Sequence, residues 1–219
     1  MIKDTNSKVK EIITNVDDLH DWSSEINPTK EGKLTQQIIL ELKATMRENN
    51  LQYLTAPQIG YTRRLFCIRF GKDDIRTFIN PMIENNSNFQ MSREQCSSLP
   101  DREFIRPRFG KVKVFFTTPL GKVESTQLVG MAAIVFQHCM DHLDGLLLED
   151  IGFEIDDDFD KLTEDERAEL LKMYAESLDI AQKELNKEIS EDEDTKQIVD
   201  AAKFIQSVKS GETIIEKQE

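Results

Sequence analysis

Gln137-His138-Cys139-Met140-Asp141-His142-Leu143-Asp144-Gly145 is the stretch on which the fold turns. Two histidines four residues apart follow the apolar run Ala132-Ala133-Ile134-Val135-Phe136. In a helix that spacing stacks both imidazoles on one face, one turn apart. The segment therefore predicts a largely buried helix, starting near Gly130, that can present two nitrogen ligands to a metal. Upstream, residues 111–116 alternate in part, and Pro119-Leu120-Gly121-Lys122 reads as a turn into residues 123–128, a hairpin. Further back, residues 65–70 and 77–79 are strand-like, and Asn80-Pro81 is expected to end the second. Leu34, Ile38, Leu42 and Met46, with Ile39 beside them, predict an amphipathic helix ending near Asn49-Asn50. The sum is an α+β fold, antiparallel strands around a metal-binding helix.

The chain has 219 residues, 38% hydrophobic and 32% charged, enough for one domain and an appendage. Residues 1–7 carry no apolar stretch of signal-peptide length, and no segment approaches the roughly 18 apolar residues of a membrane span. No membrane association is expected. Three scattered cysteines suggest no disulfide framework and a reducing, cytoplasm-like compartment. The net charge is −13, and residues 149–194 hold 19 acidic and 5 basic side chains, so the acidity is local. No basic face for nucleic acid is expected.

Three regions follow: a polar, loosely structured arm over 1–30, a body over 31–155, and an acidic helical extension over 156–219. Thr163-Glu164-Asp165-Glu166 has the form of a capping box. Behind it, Leu171, Tyr174, Leu178, Ala181 and Leu185 form a narrow apolar seam. A further helix with Ile198, Ala202 and Ile205 inward ends near Gly211. The seam packs on its own body or takes a protein partner through 163–210; the pattern leaves both open.

Metal-dependent hydrolases often write the two-histidine helix as His-Glu-x-x-His, where the glutamate moves the proton of a metal-activated water. Here Cys139 holds the glutamate position. Spacing alone leaves two readings, a metal-binding pair and two satisfied helical histidines.

Two further segments join the first in a resemblance to the peptide deformylases. Leu54-Thr55-Ala56-Pro57-Gln58-Ile59-Gly60 is similar to their Gly-x-Gly-Leu-Ala-Ala-x-Gln-Ile/Val-Gly motif. Glu94-Gln95-Cys96-Ser97-Ser98 is similar to their Glu-Gly-Cys-Leu-Ser segment. Residues 137–145 resemble Gln-His-Glu-x-Asp-His-Leu-x-Gly. The order is the family's, and the resemblance covers about residues 30 to 150. It implies one divalent ion, Fe2+ or Zn2+, held by Cys96, His138 and His142 with a fourth position open. It implies an N-formylmethionyl peptide as substrate. Gln58 and the backbone N–H of Ser97 would stabilise the oxyanion, and Ile134 and Val135 would help line a methionine pocket.

The departures fall where chemistry or substrate would be. Cys139 replaces the proton-carrying glutamate, a loss worth about 10² to 10⁴ in rate. The thiol is either an inert residue of a retired site or a fourth metal ligand. Leu51 and Tyr53 stand at glycine positions, so Tyr53 fills space where substrate would approach backbone. Gln95 replaces a glycine and Ser97 an apolar residue. Two functions follow: a catalytically impaired scaffold or assembly protein, or an active divergent metallohydrolase that removes formyl groups. Members of this family occur in bacteria, organelles and bacteriophages; the cytoplasm is the expected location, or the virion for a phage-encoded chain.

Overall fold

The structure, a computed structural model, describes residues 8–27, 30–155, 159, 161–170 and 172–174. The chain divides into two compact units, Met1–Lys161 and Leu162–Glu219.

In the first unit, α1 (Gly32–Glu48) precedes strands β1 (Tyr53–Thr55), β2 (Leu65–Arg69), β3 (Ile75–Cys96), β4 (Leu99–Thr117) and β5 (Val123–Val129). Helices α2 (Met131–Leu143) and α3 (Leu148–Ile151) follow, then the short β6 (Phe153–Glu154). The strands pair antiparallel in the order β1-β2-β3-β4-β5, with β6 on β4. This is the antiparallel sheet with a buried helix that the pattern predicts.

β2 shows why the sheet is covered on both faces. Side chains alternate across a strand. Leu65 and Cys67 join the cluster around Ile38, Leu42 and Met46 of α1. Phe66 and Ile68 join the other, with Phe136, Cys139 and Leu143 of α2. A strand buried on both sides reads as a continuous apolar run, as Leu65-Phe66-Cys67-Ile68 does.

Two expectations need correction. Asn80-Pro81 does not end the second strand, because β3 continues to Cys96. Proline lacks a ladder donor, and it is tolerated here at a register shift between Ile79 and Met82. Nor are residues 8–27 loose. Leu19 and Ile26 are buried, Ser23 N–H donates to Leu143 O at 2.8 Å, and Asn80 exchanges two 2.8 Å bonds with Ile26. Side-chain and backbone bonds to distant residues hold this arm, and no local pattern encodes them. The arm passes over Gly145, whose φ of +71° suits glycine and whose Cβ, if present, would run into the His20 carbonyl.

In the second unit, residues 164–170 and 172–174 are helical. The capping box forms: Thr163 Oγ1 accepts from Glu166 N–H, and the Glu166 carboxylate accepts from Thr163 N–H at 2.8 Å. Leu171, Leu178, Ala181 and Leu185 of the seam, and the 198–205 segment, lie outside the described residues. Among the described residues no helix is long and apolar enough to cross a membrane.

Candidate metal centre

Two elements bring three ligand atoms together. Cys96 closes β3 at a two-residue turn, Ser97-Ser98, since Cys96 pairs with Leu99. His138 and His142 lie one turn apart on α2, which begins after Gly130 at φ +58°, ψ −136°, a conformation open in practice only to glycine. The Cys96 sulfur and one nitrogen from each histidine lie within 4.8 Å of one another, all three residues buried. Cys96 Sγ is 3.2 Å from His142 Nε2.

The electrostatics suit a cation. Burial pushes the Cys96 thiol up, but the two imidazoles outweigh it and hold the thiol well below its usual range. Burial lowers His138, and Cys96 and Glu94 more than reverse that, raising it to about 9. A thiolate facing two imidazoles attracts a proton for the same reason it attracts a divalent ion. Cysteine sulfur with two imidazole nitrogens is a soft-to-borderline donor set suited to zinc or ferrous iron, so the residues fit the ion that the sequence implies.

Behind the ligands lies a buried ionic network. His138 Nδ1 is 2.9 Å from Glu94 Oε2. Arg108 donates to both Glu94 oxygens at 2.7 and 2.9 Å, and reaches Asp141 at 2.7 Å. Arg106 meets the same Asp141 oxygen at 2.6 Å. Burial alone would raise the Glu94 carboxyl, but Arg108 and His138 prevail and hold it at about 2. An ionised Glu94 fixes His138 as the Nδ1–H tautomer, leaving the Nε2 lone pair for a metal. His142 has no such support: its Nδ1 is buried without a hydrogen-bond partner among the described residues. Sequence reading quoted Glu94 and Asp141 without giving them a role and missed Arg108 altogether. The available signal was an arginine in an otherwise strand-like run and an aspartate beside a ligand histidine.

Gln58 is fully buried and saturated. Its Oε1 accepts from Thr55 N–H and hydroxyl at 3.0 and 3.1 Å, so its amide N–H groups face the Cys96 turn. They lie 3.1 Å from Ser98 Oγ, 3.2 Å from Ser97 Oγ and 3.6 Å from Cys96 Sγ. A donor is thus fixed beside the ligand sulfur.

Cys139 is not among the ligand atoms that come together. It is fully buried in the apolar cluster with Phe66, Phe78 and Phe136, and burial pushes its thiol well above the ordinary range. Tyr53 comes close to the ligands: its hydroxyl donates to Gln95 O at 2.7 Å and lies 3.3 Å from His138 Nε2. A groove of about 400 Å³ runs past Leu51, Tyr53, Gln95, Cys96 and Ser97. Arg102 at its far side is held by Glu149 and Glu154. Ile134 is buried and Val135 packs against the α2 cluster; neither lines that groove.

A mixed fold with an antiparallel sheet brings a helix with two histidines to a hairpin-tip cysteine, a set that could hold one metal ion. The sequence profile described as polypeptide deformylase matches residues 9–152, and the chain belongs to the peptide deformylase family. It is 34% identical over 114 residues to peptide deformylase 1 of Clostridium perfringens, spanning 52% of this chain and 78% of that protein. Among solved structures, the Met-Ala-Ser-bound class I type b peptide deformylase of Acinetobacter baumannii is similar, with a TM-score of 0.61 at 25% identity. That match covers 67% of this chain and 99% of the other. The peptide deformylase of Thermotoga maritima gives a TM-score of 0.60 at 29% identity, covering 66% and 97%.

Proposed function

We propose that this chain holds one divalent ion at Cys96, His138 and His142 and binds formylmethionyl peptide ends, but turns them over slowly or not at all. The observation that carries this reading is Cys139. Deformylation needs a group beside the metal that takes a proton from water and returns it to the leaving amine. The residue at the glutamate position is a thiol buried among phenylalanines, with its proton held more tightly than usual. The metal, when bound, would supply Lewis-acid polarisation and an acidified water. Gln58 would steady the oxyanion, and Glu94 would keep His138 in its ligating tautomer. Substrate would lie in the groove past Tyr53; that the Acinetobacter relative is bound to a Met-Ala-Ser peptide supports a peptide as ligand.

A second reading, an active divergent deformylase, is favoured by one feature: the Glu94–Arg108–Asp141 support of the ligands is fully formed. Deformylation of formyl-Met-Ala, measured together with metal content for the native chain and Cys139→Glu, separates them. Metal without turnover is the expected result; rescue by the substitution would locate the defect at position 139 alone, no rescue would point to Leu51, Tyr53 and Gln95 as further blocks, and rapid native turnover overturns the first reading.

The domain reading that accompanies this is a deformylase-like body over 31–155, preceded by its arm, and a helical extension over 156–219. In the scaffold reading the extension is the contact surface for a protein partner, in a reducing, cytoplasm-like compartment suited to a thiolate ligand. A pull-down comparing the full chain with one ending at Asp160 tests this; unchanged partners would remove the extension's role.

A further inference from the structure

Tyr53 stands where the family motif has glycine, and its oxygen points at the ligand nitrogen of His138. His138 Nδ1–H is committed to the Glu94 carboxylate, so Nε2 is the nitrogen that faces Tyr53. The Tyr53 hydroxyl has one proton, and the Gln95 carbonyl, at 2.7 Å, is its nearer acceptor. With that proton on Gln95 O, a phenol lone pair faces His138 Nε2 at 3.3 Å. Either a proton on Nε2 or a metal ion between the two atoms satisfies that contact.

The distance has a second meaning. Zinc binds nitrogen and oxygen donors at roughly 2.0–2.1 Å, so two such donors of one tetrahedral site stand about 3.3–3.4 Å apart. The Tyr53 oxygen and His138 Nε2 already have that separation. The Tyr53 and His138 rings are locked edge to face, 4.8 Å between centroids, and Tyr53 and Cys96 line the same groove. The other departure in the site, Cys139, is fully buried in the apolar cluster against which the Tyr53 ring packs, and it is the Tyr53 oxygen that reaches His138 Nε2.

We infer that the Tyr53 phenol oxygen is the fourth donor of the metal site and closes the position that an open catalytic centre keeps for water. The inference rests on the reading of Cys96, His138 and His142 as metal ligands. It gives slow turnover a second cause, independent of the missing carboxylate.

Cobalt(II) in the full-length chain reports on both. The native chain, Tyr53→Phe, Tyr53→Gly and Cys96→Ser are compared by metal content, visible absorption and response to azide. The expected native protein carries one cobalt with a sulfur-to-cobalt charge-transfer band that Cys96→Ser abolishes, and azide leaves its spectrum unmoved. Both Tyr53 variants open a position: azide shifts their spectra, and cobalt affinity drops by at least the roughly 10- to 100-fold that loss of a supporting partner costs. If Tyr53→Phe matches the native chain in spectrum and azide response, Tyr53 is not a donor, while the sulfur band leaves the three-ligand reading intact. If only Tyr53→Gly admits azide, ring bulk closes the site and the inference falls. If the native chain binds no cobalt, both readings fall together.

Discussion

Glu94 and His138 form a buried carboxylate–imidazole pair, Oε2 to Nδ1 at 2.9 Å, with Arg108 clamping the same carboxylate from the neighbouring strand. The pair joins the sheet to α2 and sets which imidazole nitrogen faces Cys96. Replacing Glu94 by Gln keeps the shape and removes the charge that fixes the tautomer. Metal affinity should fall roughly 10- to 100-fold, measured by competition with a chromophoric chelator. Unchanged affinity would mean that Glu94 serves only Arg108.

Cys139 is packed as a small apolar side chain. Cys139→Ala should leave any deformylation rate unchanged and lower stability by about 1 kcal/mol, the usual scale for a modest core change. Turnover on formyl-Met-Ala and urea unfolding check the two halves. A drop in rate would make the thiol a participant in chemistry.

Cys67 lies on the opposite face of the sheet, against α1, where burial pushes its thiol up to about 11. An unfolded thiol ionises near pH 8.5, as an approximate reference. Between those values the unfolded chain releases a proton that the folded chain keeps, so this group's contribution to stability falls as pH rises from about 8.5 towards 11 and is flat below that window. Urea midpoints at pH 7.5, 9 and 10 for native and Cys67→Ala should converge as pH rises. Labelling of Cys67 by iodoacetamide at pH 8 should require unfolding.

Gly145 allows the N-terminal arm to cross the end of α2. Gly145→Ala forces a side chain at φ +71° towards the His20 carbonyl. Destabilisation of about 1–3 kcal/mol is expected from the strained backbone. Limited proteolysis should cut faster before residue 27. Equal protection would show that the arm adjusts without cost.

Much of the site was legible because its information is local. His138 and His142 are four apart on a strongly apolar helix, and Cys96 sits in a segment of its own. Periodicity placed α1, α2 and the β4–β5 hairpin, and the capping box at Thr163 and Glu166 formed as written. Asn80-Pro81 misled because a proline at a register shift, where β3 leaves β2, looks in sequence like a proline after a strand. The arm misled because its anchors, Ser23 to Leu143 and Asn80 to Ile26, are paired across the fold.

By itself the chain's order of residues determined the family, the helix that carries two imidazoles, the sulfur that joins them, and the absence of a carboxylate at position 139. These depend on residue identity and on spacings of a few positions. Only the tertiary structure decided that Glu94, Arg108 and Asp141 are one network, that the Cys139 thiol is buried in an apolar cluster with Phe66 and Phe78, and that the Tyr53 oxygen meets His138. Those relationships join residues 14 to 85 positions apart, and only the packing of α2 on a twisted antiparallel sheet brings them within reach.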